Sequence, residues 1–120
     1  MTPTDFEFTV VLPGDARLVA AVRQLAMQAA GYAQLSSAIA ERLAGYVEQA
    51  THEAIAATRV HTAPIDLRFS GDGSAVAIQI SCQAAPAARP PESITNDRLT
   101  VDWKIAGDRQ TCQIRQPIPA

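Results

Sequence analysis

Few side chains in this sequence are able to do chemistry, and their spacing limits what that chemistry could be. Glu48 and His52 stand four apart in Val47-Glu48-Gln49-Ala50-Thr51-His52-Glu53-Ala54-Ile55, which puts a carboxylate and an imidazole on one helical face. Together with Glu53 and the more distant His61 they suggest a metal site. Zinc held in this way needs His-Glu-x-x-His spacing and a third ligand, and the sequence offers neither. The segment therefore reads as a solvated helix face near its C-terminal end, where protonated histidines suit the dipole. Cys82 falls at a strand end and could act as a nucleophile only beside a base or with a lowered pKa. Neither is indicated, so it reads as a small buried hydrophobe. Ser36-Ser37 reads as a helix cap rather than a nucleophile pair, and Trp103 as a core residue on the inward face of a strand. No catalytic residue and no metal site are expected.

The composition narrows the remaining classes. Hydrophobic residues make up 48% and charged residues 18% of 120 positions, which is the balance of one globular domain and too short for two cores. The single domain is expected to span residues 1–120. Aromatics are only 5%, so Ala, Val, Leu and Ile must fill the core. The net charge is -2, without any run of Lys or Arg, and a nucleic-acid partner is not expected. Met1-Thr2-Pro3-Thr4-Asp5 carries no targeting signal, and the apolar stretches are broken well before membrane-spanning length. Cys82 and Cys112 are too few for a disulfide framework or zinc knuckle and read as free thiols. These features together predict a soluble cytoplasmic domain without a membrane partner.

The elements that would position any site follow from periodicity. Phe6, Phe8, Val10 and Leu12 alternate with Glu7, Thr9 and Val11 over residues 6–12, predicting a strand covered on one side. Pro13-Gly14-Asp15 ends it and offers Asp15 as an N-cap. Leu18, Val22, Leu25 and Ala29 mark a first helix to about Tyr32, closed by Gly31. Ser36 or Ser37 caps a second helix whose stripe is Ile39, Leu43, Val47, Ala50 and Ala54, running toward Thr58. At roughly 22 residues it is the longest element. The period then changes to two. Ile65, Leu67 and Phe69 lead into a hairpin at Gly71-Asp72-Gly73, and Val76, Ile78, Ile80 and Cys82 return. Residues 83–91 hold three prolines and read as an extended loop. Leu99, Val101, Trp103 and Ile105 form a last hairpin through Ala106-Gly107-Asp108 with Cys112 and Ile114, and Pro117 and Pro119 end the ladder. The order β-α-α-β-β-loop-β-β predicts an α+β two-layer sandwich, with two helices on one face of a mostly antiparallel sheet of about five strands.

This order resembles the ATP-binding domain of the anti-sigma-factor serine kinases, within the histidine kinase-like (Bergerat, or GHKL) ATPases. The resemblance covers nearly the whole chain. It is carried by Phe8-Thr9-Val10-Val11-Leu12-Pro13-Gly14, by Leu43 through Ile55, and by Asp66 through Cys82. In that family the second helix carries a Glu that orients the attacking group and, one turn later, an Asn that holds Mg²⁺ against the phosphates. Aligned on Ala54-Ile55, this chain has Gln49 and Glu53 at those positions. A register shifted by one offers Glu48 and His52, with the apolar stripe out of phase. The family's Asp-x-Gly-x-Gly, whose Asp accepts from the adenine amino group, is matched by Cys82, Ala84 and Pro86, and a thiol is a poor acceptor there. No glycine-rich lid occurs in residues 84–98, where Arg89 and Arg98 stand apart.

The resemblance thus implies a catalytically silent regulatory domain that needs no cofactor. Gln49, Glu53, Cys82 and Ala84 mark its vestigial nucleotide site. A protein partner is implied, a sigma factor or an antagonist, as is pairing into a homodimer. The alternatives are a nucleotide-binding protein or kinase with an altered pocket that Gln49 and Glu53 still line, and an enzyme of unrelated chemistry.

Overall fold

Alternation builds the first strand as expected. In the computed structural model, which describes residues 5–57, 63–83 and 92–119, strand β1 spans Phe6–Pro13. Phe6, Phe8, Val10 and Leu12 are half-buried on one face, whereas Glu7, Thr9 and Val11 are exposed on the other. Asp15 accepts a hydrogen bond from the Arg17 backbone N–H at 2.9 Å. It thereby caps a 3-10 turn, Ala16–Leu18, that runs straight into helix α1, Val19–Tyr32.

Helix α1 does not close on Gly31, which lies inside its last turn. The left-handed residue is Gln34, with φ 58°. The Leu35 N–H donates to the Ala30 carbonyl and the Gln34 N–H to the Gly31 carbonyl, each at 3.0 Å. These are the two bonds of a Schellman closure, with a side-chain-bearing residue where glycine is usual. Ser36 then caps helix α2, Ser37–Ala57, its hydroxyl accepting from the Ile39 N–H at 3.3 Å. The expected extension to Thr58 lies outside the described residues.

The remaining strands are β2, Pro64–Gly71, β3, Ala75–Gln83, β4, Ile94–Asn96, β5, Leu99–Ala106, and β6, Arg109–Pro117. They form one six-stranded sheet in the order β1-β2-β3-β6-β5-β4, and every pairing is antiparallel. The α+β class and the two helices are as expected; the count of about five strands is not. The additional strand is β4, three residues long and too short to show alternation. Its turn also carries no glycine signal. Asp97 and Arg98 link β4 to β5 with φ 48° and 74°, a type I′ pattern in which Asn and Gly are the usual occupants. The hairpin expected at Gly71-Asp72-Gly73 is present, and Asp72 Oδ1 accepts from the N–H groups of Ser74 and Ala75 at 2.7 and 3.1 Å. Gly71 is needed for space rather than for φ. A Cβ there would come within 2.3 Å of the ring of Phe6, its partner across the ladder.

Both helices pack on one face of the sheet, and the division of volume between the layers is uneven. The sheet supplies the bulk, through Ile65, Leu67, Phe69, Ile78, Ile80 and Ile114, all at most 1% exposed. The helices supply small residues, Ala26, Ala29, Ala30, Ala44, Ala50 and Ala54, together with Val22, Leu43 and Val47. Alanine at these contacts lets two helices lie close to each other and to the large side chains below. Thr51 is buried within this layer with its hydroxyl donating to the Val47 carbonyl at 2.8 Å. Among the described residues no helix is long and apolar enough to cross a membrane.

A left-handed conformation costs a side-chain-bearing residue roughly 1–2 kcal/mol, and glycine's freedom in the unfolded chain takes back part of the relief. Gln34→Gly should therefore raise stability by about 0.5–1 kcal/mol, read as a higher urea midpoint at unchanged slope. The Arg17 guanidinium and backbone N–H hold the Asp15 carboxyl at about 2, against an ordinary 3.8. This lowered value favours the folded state above the unfolded pKa and loses that advantage as pH falls from about 4 toward 2. Wild type should lose stability more steeply than Asp15→Asn in that window, and added salt should shrink the difference because the pair is at the surface.

Candidate functional site

Starting from Ser36, the register of α2 sets one line of residues toward β4 and β5: Arg42, Tyr46, Gln49 and Glu53, spaced one turn apart. Two of them tie the β4–β5 hairpin to the helix. Arg42 Nη1 donates to Asp97 Oδ2 at 3.2 Å, and its Nη2 to Gln116 Oε1 at 3.4 Å. Asn96 Nδ2 donates to the Tyr46 hydroxyl at 2.8 Å. The strained turn at Asp97–Arg98 is thus held at its first residue by an ion pair and, one residue earlier, by a side-chain amide.

Beyond these ties the hairpin and the helix separate, leaving a cleft of about 140 Å³. Tyr46, Gln49, Ala50 and Glu53 form its helical wall, and Glu92, Ile94, Val101 and Trp103 the wall opposite. Gln49 Nε2 donates to Glu53 Oε1 at 3.1 Å, so the amide is engaged within the wall itself. Among the described residues, two carboxylates line the cleft and no Lys or Arg does.

Of the site residues expected from the sequence, Gln49 and Glu53 are brought together here. Cys82 is not. It is 1% exposed, and its thiol faces the Ala54 carbonyl at 3.6 Å, beneath α2 instead of beside it. Ala84 and Pro86 lie outside the described residues, as do His61 and Arg89. In the shifted register, Glu48 reaches Arg23 on α1 at 3.8 Å while His52 is exposed, so that pair does not converge on the cleft. Trp103, expected as core, packs against the core and also lines the cleft, half-buried. Ile105, expected inward, is 38% exposed, because α2 covers the centre of the sheet and not the far end of β5.

Tyr46 and Arg42 escaped the sequence reading although their signal was present, in the turn-by-turn spacing along α2 outside the apolar stripe. Glu92 and Ile94 had none, since the three-residue strand that begins at Ile94 carries no pattern of its own. Two larger hollows, of about 350 and 500 Å³, lie toward the β1 side of the sheet and take in its uncovered face. The first is lined by polar residues including Thr9, Asp66, Arg68 and Gln79, of which Arg68 is paired with Glu7 and Asp66 with Arg109, and the second by Asp5, Glu7, Asp72 and Arg115 among others. Among the described residues no three His, Cys, Asp or Glu side chains are grouped to hold a metal ion. No protein-family model matches the chain, and no curated protein does.

Burial removes both thiols from reaction. It pushes Cys112 up to about 12, with the Asp102 charge adding to the effect, and it raises Cys82 as well, against a small opposing pull from Arg109. Since the thiolate is the reactive species, the native protein at pH 8 should show no fast reaction with a disulfide reagent such as DTNB. Both cysteines should react at once in denaturant.

Proposed function

We propose that this domain is a catalytically silent binding module, built on the plan of the anti-sigma-factor serine kinases, that acts by holding a protein partner. The observation that carries this reading is the lining of the cleft beside α2. A nucleoside triphosphate bound with Mg²⁺ is recognised by cations, backbone N–H groups and a metal-holding side chain. The cleft instead presents Glu53 and Glu92 with no Lys or Arg among its described lining residues, and Gln49, at the position of the family's Glu, is hydrogen-bonded to Glu53. Its 140 Å³ is also well below the roughly 300–1,000 Å³ of pockets that enclose small-molecule ligands. With the general base and the metal ligand replaced, the plan retains a scaffold and a recognition surface. In this reading the domain works in the cytoplasm, without a cofactor. Its partner is a sigma factor or an antagonist protein, and it pairs as a homodimer like the kinases it resembles.

The test is stabilisation by nucleotide. A ligand present at 100 times its Kd raises stability by about 2.7 kcal/mol, which moves the melting temperature by several degrees in a domain of this size. Thermal melting with about 5 mM Mg-ATP or Mg-ADP should therefore leave the midpoint unchanged. A clear upward shift would replace this reading with that of a nucleotide-binding protein with an altered pocket.

A further inference from the structure

The cleft beside α2 is electrostatically the reverse of a phosphate site, and this says what chemistry suits it. Its two carboxylates differ in commitment: Glu53 accepts from Gln49 through Oε1 alone, and Glu92 forms no ion pair among the described residues. The nearest cation on the same helical line, Arg42, is already engaged with Asp97 and Gln116. Two of the chain's few aromatic side chains, Tyr46 and Trp103, stand on opposite walls. Between them Ala50, Val101 and Ile94 make an apolar lining, with Ile94 44% exposed at the rim.

We propose that this cleft receives the guanidinium side chain of an arginine presented by a protein partner. The inference rests on the reading of the domain as a partner-holding module and names what that partner must carry. Charge complementarity selects a cation. The aromatic walls select one that stacks, as a guanidinium does on indole. The two carboxylates offer acceptors for its fork of donors, the apolar lining suits its methylene stem, and 140 Å³ suits one long side chain. Lysine is a compact, strongly hydrated point charge and profits less from such walls.

Trp103 is the only tryptophan, so its fluorescence reports on the cleft directly. The probe is acetyl-Ala-Arg-Ala-amide at low salt, compared with the same peptide carrying lysine or citrulline, the latter keeping arginine's shape without its charge. The arginine peptide should change Trp103 emission saturably. Affinity should fall at least about tenfold with citrulline, and by a similar factor in the Glu53→Gln/Glu92→Gln variant, as loss of hydrogen bonds to charged groups implies. Lysine should bind more weakly, and salt should weaken the arginine complex. No saturable change up to about 10 mM arginine peptide, where any binding would be weaker than the millimolar range, overturns the assignment. Equal binding of the citrulline or lysine peptide does so too, as does wild-type affinity in the double variant. The citrulline comparison uses the unaltered protein and is independent of any effect of the substitutions on folding. Stabilisation by Mg-ATP would instead sink the silent reading, while failure of the arginine peptide alone leaves that reading standing.

Discussion

The structure depends on one packing constraint: a single face of the sheet must be covered, and the helices that cover it do so mostly with alanine. Ile65, Leu67, Phe69, Ile78, Ile80 and Ile114 rise from the sheet into the space that Ala26, Ala29, Ala30, Ala44, Ala50 and Ala54 leave open. Large residues on both layers would force the helices away from the sheet, and small ones on both would leave voids, each at a cost of a few kcal/mol per site by roughly known amounts. The complementarity also explains how a chain with so few aromatics closes a core. Four of the six aromatic side chains cluster toward the β1 edge, where Phe8 stacks on Phe69 at 4.8 Å and Phe6 meets Tyr32 at 5.5 Å. The other two, Tyr46 and Trp103, stand at the cleft.

The cleft is a by-product of the same constraint. Helix α2 lies over the middle of the sheet, so the inner face of β5 beyond Trp103 is left without a helix above it. The hairpin of β4 and β5 folds up against the helix at one end, through Arg42 with Asp97 and Asn96 with Tyr46. What remains between them is a narrow acidic slot with aromatic sides. Its described lining carries two carboxylates and no Lys or Arg.

Most of the layout was legible in the sequence because it rests on periodicity. The change from a period near 3.6 at Leu43, Val47, Ala50 and Ala54 to a period of two at Ile65, Leu67 and Phe69 marks the boundary between layers without ambiguity. Gly71-Asp72-Gly73 and Ala106-Gly107-Asp108 announced their turns for the same reason. What escaped was structure held by tertiary contact against local preference. Gln34, Asp97 and Arg98 occupy left-handed backbone that their residue types disfavour, so neither the end of α1 nor the turn of β4 had a local signal. The site was half legible. Gln49 and Glu53 could be placed by their position on α2, and Cys82, which the resemblance set at the nucleotide, is buried as its inward-facing register on the return strand predicts. Ile94 opens, and Glu92 stands two residues before, a three-residue strand held by its ladder with β5 and its ties to α2.

The two borders of the sheet differ in a way that bears on solubility and company. One ends in β4, three residues long, its turn pinned to a helix by side chains. The other ends in β1, eight residues long, with Val11 63% exposed and neither lysine nor proline before Pro13. Natural sheets discourage adhesion between chains by shortening, charging or kinking their outermost strands. This fold applies the first of those protections at β4, while among the described residues β1 offers only Glu7, itself paired with Arg68.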